Sequence, residues 1–467
     1  MCPRTSSKKQ NLSADLVIIG GGGAGLAAAL TAAEKGIRNI IVLETRGAAG
    51  GNTAMATGLF ACESPVQARQ RIVADKDILF KRAMDWARWS RVNPRIFRAF
   101  LNKSGDTIRW LEQMGLEFNI IAFFPNQEPR VEHVPQGRGA QLTRVLTEKC
   151  REAGVEILLH CGAKKLLTDK KSRLTGVLTE EGQEIKTGSV IIATGGFAGN
   201  KKLLKKYCPL YYDGFGVRGL PLTGDGLLIA EEAGAAIEDF VTLLKEGPRV
   251  DQHTWPLMSM ERDPLTVWVN KRGERFADEA MGAHPFEAGN AILRQPGKVI
   301  YCMLDTSILQ MLSEKTPNLE IALRAEVNRG RVTKAEAWDE VAEWIGAKPA
   351  ALKATVEEYN DYCNHGYDET FAKERRWLLP LQRPPYYAIK CEAHLLDTIG
   401  GIRINEKMEV LNKQDEPIHG LYAAGVATSG WEAESYCSDL SGSAFGYAIN
   451  SGRIAGENAA ASIIKIK

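Results

Sequence analysis

The chain has 467 residues, of which 44% are hydrophobic, and its 59 lysines and arginines nearly balance its 57 acidic residues. This length predicts two domains. The formal charge of +2 gives no electrostatic reason to expect binding to nucleic acid or to an anionic membrane. The sequence has no apolar run of about eighteen residues, the length that a membrane span needs, and residues 1–12 do not read as an export signal. We therefore expect a cytoplasmic protein whose partner is a small molecule.

The first predicted elements form a βαβ unit. Residues 15–19 (DLVII) are an apolar, β-branched run typical of a buried strand, and a glycine-rich turn follows at 20–25. An Ala/Leu-rich stretch at 26–35 predicts a helix, and residues 40–44 (IIVLE) predict a second strand. This order of elements predicts a parallel sheet in an α/β fold.

The glycines of this turn have the spacing of a dinucleotide-binding fingerprint. Gly20, Gly22 and Gly25 fit G-x-G-x-x-G, in which the first glycine permits the turn, the second admits a pyrophosphate and the third lets helix and strand pack closely. Glu44 ends the second strand, where a carboxylate can accept hydrogen bonds from ribose hydroxyls. The unit predicts a bound dinucleotide and leaves NAD and FAD open.

After this unit, predicted helices and strands alternate, and the pattern then changes to a mixture of short strands and charged helices. We predict an inserted second domain after the helix that follows Thr223–Gly226, and a return to the sheet near Gly400. The predicted domain limits are 1–240, 241–395 and 396–467. Further helices are predicted at 77–114, 140–153 and from about 443, and further strands at 155–159, 176–180 and 189–194.

The nine cysteines are dispersed, with no C-x-x-C pair and no spacing suited to zinc or iron–sulfur ligation. We predict reduced, mostly buried thiols and no metal site. Any haem or iron–sulfur relay is then expected on another chain. The cysteines are Cys2, Cys62, Cys150, Cys161, Cys208, Cys302, Cys363, Cys391 and Cys437.

Seven segments, in order along nearly the whole chain, carry a resemblance to a known family. They are 50–54 (GGNTA), 192–197 (IATGGF), 223–226 (TGDG), 273–279 (GERFADE), 355–360 (TVEEYN), 398–402 (TIGGI) and 420–425 (GLYAAG). On these segments the chain resembles the fumarate reductase and succinate dehydrogenase flavoprotein family, which includes 3-ketosteroid dehydrogenases and urocanate reductases.

The resemblance implies FAD and a particular domain plan. A Rossmann-like FAD-binding domain is interrupted by an α+β capping domain, and the substrate is held between the cap and the flavin ring. In relatives with covalently attached FAD a histidine stands where this chain has Asn52, so the resemblance implies non-covalent FAD. Val426 replaces the acid that usually contacts the ribityl chain. The implied cofactor-binding residues are Gly20, Gly22, Gly25, Glu44, Gly51, Asn52, Thr53, Ala193, Thr194, Gly195, Asp225, Gly425, Ser441 and Ser443.

The resemblance also marks where this chain departs from fumarate reductases. Two arginines and a histidine that deliver a proton and bind fumarate correspond to Ala283, Asp397 and Asp439. Loss of these cations, together with two carboxylates near the flavin, would repel a dicarboxylate. The substrate is therefore expected to be a neutral, aromatic or cationic unsaturated compound and not fumarate.

The implied catalytic candidates carry different roles. His284 would be the proton donor if the alignment near Ala283 shifts by a residue or two, and His394 and Tyr436 are further candidates for catalysis. Asp397 and Asp439 are candidates for the substrate site. Arg275 and Glu279 belong to a matched run that helps orient the donor, with structural support as the simpler role.

The predicted activity is that of an FAD-dependent oxidoreductase. It would reduce or dehydrogenate a CH=CH/CH–CH unit next to a carbonyl or carboxylate, in the manner of an enoate reductase. Electrons would be exchanged with an NADH-linked flavoprotein, a ferredoxin-like protein or a quinone-linked partner. Two alternatives remain open: a flavoprotein subunit of a reductase complex with a separate iron–sulfur partner, and a flavin-binding protein without turnover.

Overall fold

The computed structural model describes residues 12–122, 127–170, 173–238, 241–249 and 255–466. Residues 1–11, which include Cys2 and most of the segment considered for export, lie outside the described part. The chain divides into two compact units. Unit 1 comprises Met1–Tyr211, Gly219–Leu243 and Asp397–Lys467, and unit 2 comprises Tyr212–Arg218 and Leu244–Leu396.

The described strands and helices alternate along the chain. The strands are β1 (Leu12–Ser13), β2 (Leu16–Ile19), β3 (Ile40–Glu44), β4 (Leu59–Phe60), β5 (Phe118–Ile121), β6 (Glu132–Pro135), β7 (Glu156–Leu159), β8 (Ala163–Thr168), β9 (Leu174–Thr179), β10 (Glu184–Lys186), β11 (Val190–Ile192), β12 (Gly216–Val217), β13 (Thr242–Arg249), β14 (Val267–Asn270), β15 (Val299–Leu304), β16 (Val332–Ala335), β17 (Tyr386–Ile399), β18 (Glu409–Leu411) and β19 (Pro417–Ala423). The helices are α1 (Gly23–Glu34), α2 (Pro65–Arg69), α3 (Lys76–Trp86), α4 (Pro94–Gln113), α5 (Arg138–Glu152), α6 (Lys201–Tyr207), α7 (Asp225–Glu232), α8 (Trp255–Glu261), α9 (Pro285–Leu293), α10 (Thr306–Lys315), α11 (Leu319–Asn328), α12 (Trp338–Ile345), α13 (Pro349–His365) and α14 (Ser443–Ile466).

Unit 1 is built on a six-stranded sheet in the order β18-β19-β11-β2-β3-β7. The strands from β19 to β7 run parallel, and β18 is an antiparallel edge strand. Strands β2, β3 and β11 are buried along their whole length, as expected for parallel strands covered on both faces. Helices α1 and α14 pack together, and Ala24 and Ala28 on α1 lie against Gly452 and Gly456 on α14.

The small glycines of α14 explain this close packing. A Cβ atom at Gly452 or Gly456 would overlap a backbone oxygen of α1. The long C-terminal helix can therefore lie directly on the helix that follows the glycine turn, and this fixes the N-terminus of α1 at the end of β2.

Unit 2 has its own sheet and core. Strand β15 pairs antiparallel with β14 and β17, and β17 also pairs with β12 and β16. Its core includes the fully buried side chains of Trp268 and Tyr359. The mixed strands and helices of this unit, with the parallel sheet of unit 1, confirm the predicted fold class. The domain limits at 240 and 395 stay predictions, and Phe240 lies outside the described residues.

The structure also bears on the predictions about the cysteines and about membrane-spanning segments. Of the described cysteines, Cys161 is disulfide-bonded, so the prediction of reduced thiols is wrong at that position. Dispersed spacing carries no information on which sulfur atoms meet in space. The other seven described cysteines are free thiols, and six of them are buried. None of the helices in the described ranges is long and apolar enough to cross a bilayer.

Candidate functional site: a dinucleotide cavity in unit 1

A cavity of about 370 Å³ lies within unit 1 at the carboxyl ends of its parallel strands. Its lining includes Ile19 and Glu44, the last residues of β2 and β3, and Ala193 and Ala424, which directly follow β11 and β19. Ligands of open α/β sheets bind at this edge. The position of the cavity thus follows from the strand order.

The glycine turn forms the floor of this cavity. Gly22 precedes the first turn of α1 with extended backbone angles (φ −74°, ψ −177°). A Cβ atom at Gly22 would meet nothing closer than Gly51 Cα at 3.9 Å, so the space above Gly22 is open. The first N–H groups of a helix have no acceptor within the helix and attract phosphate oxygens. Backbone and helix end together form a cradle for a pyrophosphate.

Two other glycines of the turn shape the fold around the cradle. Gly20 has φ +107°, and a Cβ atom there would lie 2.5 Å from the carbonyl oxygen of Ala193. A Cβ atom at Gly25 would overlap the carbonyl oxygen of Gly20. Gly25 does not line the cavity; it lets α1 pack against β2, the role that its place in the spacing predicts.

Glu44 is held in place at the end of β3. Its Oε2 accepts a hydrogen bond from the N–H of Gly21 at 2.9 Å, and its Oε1 accepts one from the N–H of Arg46 at 2.9 Å. The carboxylate is buried and lines the cavity. Oε1 also accepts from the hydroxyl of Thr45 at 3.4 Å, whereas Oε2 has a second lone pair with which it can accept a hydrogen bond from a ribose hydroxyl.

An unsatisfied hydroxyl marks the opposite wall of the cavity. Thr194 lines it, and its buried Oγ1 has no hydrogen-bond partner among the described residues. A buried polar atom without a partner is costly unless something binds to it. The open cradle at Gly22, the fixed carboxylate of Glu44 and this hydroxyl fit a bound dinucleotide.

Most of the predicted cofactor-binding residues meet in this cavity. Those that line it are Gly20, Gly22, Glu44, Gly51, Asn52, Thr53, Ala193, Thr194, Gly195, Asp225 and Gly425. Ser441 and Ser443 do not line it. Ser441 Oγ accepts a hydrogen bond from Gln127 at 3.0 Å, and Ser443 Oγ lies 3.5 Å from a carboxylate oxygen of Glu432.

Asp397 also lines the cavity, where it is tied to Asn52. Asn52 Nδ2 donates to Asp397 Oδ2 at 2.9 Å, while Asn52 Oδ1 accepts from the N–H of Leu220 at 2.8 Å. Burial raises the pKa of Asp397 to about 6, against hydrogen bonds from the N–H of Thr398 and from Asn52 that lower it. The fold brings these two residues together although they lie 345 residues apart along the chain.

Tyr436 and Glu432 form a buried polar group beside the start of α14. The hydroxyl of Tyr436 accepts a hydrogen bond from the N–H of Ala444 at 3.1 Å, and burial raises its pKa well above the ordinary value. Glu432 accepts from the N–H of Ala433 at 3.0 Å, and burial raises its pKa to about 7. Tyr436 was predicted as a candidate, whereas Glu432 was missed because nothing in its spacing distinguishes it from a surface acid.

Asp439, His284 and His394, three further predicted catalytic residues, do not line the cavity. Asp439 is exposed and does not line the cavity. His284 is half-buried at the start of α9, and His394 lies on β17 opposite Gly216, both in unit 2. Within unit 1, therefore, only Asp397 among the predicted catalytic residues lines the cavity.

Arg275 and Glu279 belong to a neutral ion network in the core of unit 2. Arg275 Nη2 lies 3.0 Å from Glu279 Oε2 and 2.8 Å from Asp368 Oδ2, and Lys373 Nζ lies 3.1 Å from Glu279 Oε2. Burial opposes the charge of Glu279, but Lys373 and Arg275 lower its pKa below the ordinary value. Two cations balance two carboxylates, which fits the structural role considered for this pair.

A second charged cluster in unit 2 was not predicted. Glu246 Oε1 lies 2.7 Å from Arg249 Nη2 and contacts Arg218 Nη1, and Glu246 Oε2 lies 3.3 Å from Arg262 Nη2. We call these four residues the Glu246 cluster. Despite burial, the three arginines lower the pKa of Glu246 to about 2.

The Glu246 cluster carries an excess of positive charge. One carboxylate faces three guanidinium groups, and the Nε atoms of Arg249 and Arg262 are buried without a hydrogen-bond partner among the described residues. The neighbouring Lys245 is buried as well, which lowers its pKa to about 8. Lys245, Glu246 and Arg249 all lie on β13, which is buried along its whole length.

Among the described residues, no group of three or more His, Cys, Asp or Glu side chains is placed to hold a metal ion. The candidate functional site of unit 1 is thus the dinucleotide cavity, and unit 2 by itself contains the Glu246 cluster.

Comparison with known proteins identifies the dinucleotide. Residues 15–436 match the family model described as FAD binding domain. The chain is 31% identical to a vinyl phenol reductase of Lactiplantibacillus plantarum over 96% of each chain. It is 31% identical to an NADH:fumarate oxidoreductase of Klebsiella pneumoniae over 96% of this chain and 48% of the relative.

A solved structure agrees in fold and length. The 3-ketosteroid-Δ4-(5α)-dehydrogenase from Rhodococcus jostii RHA1, in complex with 4-androstene-3,17-dione, is 25% identical with a TM-score of 0.77, covering 97% of this chain and 98% of that one. These matches confirm the resemblance drawn from the sequence and the prediction of FAD. The chain belongs to the FAD binding domain family, as a flavoprotein of the branch that contains fumarate reductases and 3-ketosteroid dehydrogenases.

Proposed function

We propose that this flavoprotein holds FAD non-covalently and reduces the C=C bond of a small unsaturated compound other than fumarate. The observation that carries the proposal is the cavity in unit 1, with an open cradle at Gly22 and the fixed carboxylate of Glu44. When bound there, FAD supplies two-electron hydride chemistry. Similar proteins are named for the reduction of unsaturated compounds, and we propose the same class of reaction for this chain.

Non-covalent binding is supported by the bonding of Asn52. A carboxamide has no nucleophilic ring nitrogen, and both ends of this one are engaged, with Asp397 and with the N–H of Leu220. We therefore expect Asn52 to position the cavity wall rather than to form a bond with the cofactor.

An aromatic or enone substrate is supported by two observations. A relative that matches over 96% of each chain is a vinyl phenol reductase. Ala283 has no charged group, and Asp397, a carboxyl with a pKa of about 6, lies in the cavity wall. An anionic carboxylate at neutral pH disfavours a dicarboxylate substrate.

The Glu246 cluster is the group that we propose to polarise the substrate. Its net positive charge can stabilise negative charge that develops on a phenol ring or carbonyl oxygen as hydride is accepted. The side chains of Arg218 and Arg262 are 35% and 16% exposed, whereas that of Arg249 is 5% exposed. Of the two more accessible arginines we propose Arg262 for this role, because it lies beside the segment in which the proton donor was predicted. Its carbonyl oxygen lies against Gly282, directly before Ala283.

An external electron carrier is part of the proposal. The chain spans about half the length of the NADH:fumarate oxidoreductase that it matches, whose name assigns the use of NADH to that whole protein. We propose that electrons reach the FAD of this chain from a separate protein.

The test is a reoxidation panel. The holoprotein is photoreduced without oxygen and mixed with 4-vinylphenol, cinnamate, an enone and fumarate, and the oxidised flavin spectrum is followed by stopped flow. We expect saturable reoxidation by at least one aryl-alkene or enone, with the saturated product identified by mass spectrometry. Failure of every compound except fumarate, or of all of them, contradicts the proposal.

A further inference from the structure

An exposed region of unit 1 combines positive charge with large apolar side chains. Residues 69–98 contain nine lysines and arginines against three aspartates, although the chain as a whole carries a formal charge of only +2. The same stretch contains Val73, Ile78 and Trp89, which are 84%, 59% and 62% exposed. Most large apolar residues of the described chain are buried, so this concentration calls for an explanation.

The apolar and basic side chains share one side of α3. Leu79, Ala83 and Met84 face the core, which places Ile78 and Lys81 on the opposite, exposed side. Trp89 lies three residues beyond the end of α3, in the segment that leads to α4. We call five exposed residues of this stretch the tryptophan face: Ile78 and Lys81 on α3, Arg88 and Trp89 in the segment that follows it, and Arg95 in the first turn of α4.

The backbone beyond α3 is held in an unfavourable conformation. Arg88, Trp89 and Arg91 have φ values of +52°, +56° and +56°. Left-handed conformations at residues other than glycine cost free energy and persist where the surroundings hold them, often at functional sites. Trp89 packs edge-on against Phe80, with ring centroids 6.4 Å apart, yet remains largely exposed.

Much of the positive charge here is not neutralised. Arg98 pairs with Asp77 at 2.5 Å, which joins the start of α4 to α3. Lys81, Arg88 and Arg95 are exposed, and none of them forms an ion pair with the part of the chain that the structure describes. These three cations are available to an acidic partner.

A short path of contacts joins α3 to the FAD cavity inside unit 1. Trp86, the last residue of α3, donates a hydrogen bond from Nε1 to the carbonyl oxygen of Ser435 at 3.2 Å. The next residue, Tyr436, accepts from the N–H of Ala444 at the start of α14. Ala448, one turn further along α14, lines the cavity.

We propose that the tryptophan face docks a small acidic electron-carrier protein that reduces the FAD of this chain. Exposed aromatic anchors within a basic rim provide apolar contact and electrostatic steering together. Weak redox complexes need only a small interface. Two carrier molecules each lose one electron, and FAD gains these two electrons with a proton from solvent. The inference depends on bound FAD and not on the identity of the substrate.

The probe is an acidic flavodoxin, photoreduced and mixed with the holoprotein under stopped flow over a range of salt concentrations. The test variant is the triple substitution Lys81→Glu, Arg88→Glu and Arg95→Glu. A control with the same change in charge reverses Lys201, Lys202 and Lys413, exposed lysines elsewhere in unit 1. Reduction by methyl viologen, a small-molecule carrier, shows that each variant retains reducible FAD.

At low salt we expect wild type and control to be reduced rapidly and the test variant at least about tenfold more slowly, with the difference vanishing at high salt. Surface plasmon resonance on immobilised flavodoxin, with the FAD-free protein as well, should show the same loss of binding. Trp89→Ala should weaken binding without changing its salt dependence.

Three results would overturn the proposal. The test variant and the control could be reduced at equal rates; flavodoxin could neither bind nor reduce the wild type; or the tryptophan face could bind anionic vesicles or duplex DNA while flavodoxin reduces all variants equally. Because no substrate is present, failure of the proposed C=C reduction would not alter any of these outcomes.

Discussion

The FAD cavity of unit 1 and the Glu246 cluster of unit 2 are built from different chemical groups. The cavity is formed by glycine backbone, the end of a helix and one fixed carboxylate, Glu44. The cluster is formed by four charged side chains. Arg218 directly follows β12, Glu246 and Arg249 lie on β13, and Arg262 directly follows α8. A backbone site tolerates few side chains and stabilises phosphate through N–H dipoles, whereas the cluster stabilises charge through an excess of guanidinium groups.

This contrast explains why the two regions should respond differently to substitution. At Gly22, adding a side chain blocks the ligand without harming the fold, because the backbone there is extended and the space above it is open. In the cluster, removing a charge leaves the others buried and unbalanced, so the fold itself loses stability.

The largest effect is expected for Gly22→Val. The extended backbone at Gly22 accepts valine, and the new side chain fills the open cradle. We expect FAD affinity to fall at least about a thousandfold, about 4 kcal/mol, with an unchanged circular dichroism spectrum. FAD content after gel filtration and titration of the apoprotein measure this. Gly188→Ala is the control, since a Cβ atom there meets no atom within 4 Å. Normal FAD content in Gly22→Val would place the pyrophosphate elsewhere.

The next effect concerns the fold of unit 2. Glu246→Gln removes the one carboxylate that faces Arg218, Arg249 and Arg262. We expect a loss of about 3 kcal/mol in the free energy of unfolding, measured by urea denaturation. Glu274→Gln, which breaks an exposed pair with Arg272, should cost less than about 1 kcal/mol. Equal losses in the two variants would mean that the cluster is not charge-balanced by Glu246.

A smaller effect is expected on the reaction. Arg262→Met keeps most of the side-chain volume and removes its charge. We expect reoxidation of reduced flavin by 4-vinylphenol to slow about a hundredfold, with FAD affinity unchanged. Arg262→Lys should restore part of the rate. If Arg262→Met reacts as fast as wild type, the cluster does not polarise the substrate.

The smallest effect is a change in pH dependence within unit 1. Burial raises the pKa of Glu432 from 4.5 to about 7 in the folded state, so the folded protein binds this proton more tightly than the unfolded chain. Wild type therefore loses stability as pH rises from about 4.5 to about 7. Relative to wild type, Glu432→Gln should gain about 2 kcal/mol between pH 5 and pH 8. Urea denaturation at both pH values measures this, and Glu132, whose pKa is raised to about 7 in the same way, is present in both proteins. A difference that does not vary with pH would show that Glu432 titrates normally.

Features that depend on neighbouring residues, such as the glycine turn of the cavity, could be predicted from the sequence, whereas contacts between distant residues, such as those of the Glu246 cluster, could not. The βαβ unit was predicted with strands over 15–19 and 40–44, and the structure has Leu16–Ile19 and Ile40–Glu44, because contiguous apolar runs and glycine spacing are local properties. The stretch predicted to be helical over 77–114 contains two helices, α3 and α4, with α4 beginning at Pro94 after the left-handed residues near Trp89. A proline at the first position of a helix is the signal that identifies this break.

The Glu246 cluster could not be predicted because no spacing rule links its members. Arg262 and Arg218 lie 16 and 28 residues from Glu246 along the chain, and only the fold of unit 2 brings them to one carboxylate. The bond between Asn52 and Asp397, 345 residues apart, was out of reach for the same reason.

The most direct test of the account compares two substrates on one sample of photoreduced holoprotein. Reoxidation by 4-vinylphenol and by fumarate is followed by stopped flow at the same concentration and pH. The account predicts reoxidation by 4-vinylphenol at least about a hundredfold faster, because the carboxylate of Asp397 in the cavity wall opposes a dianion. Faster reoxidation by fumarate would contradict it.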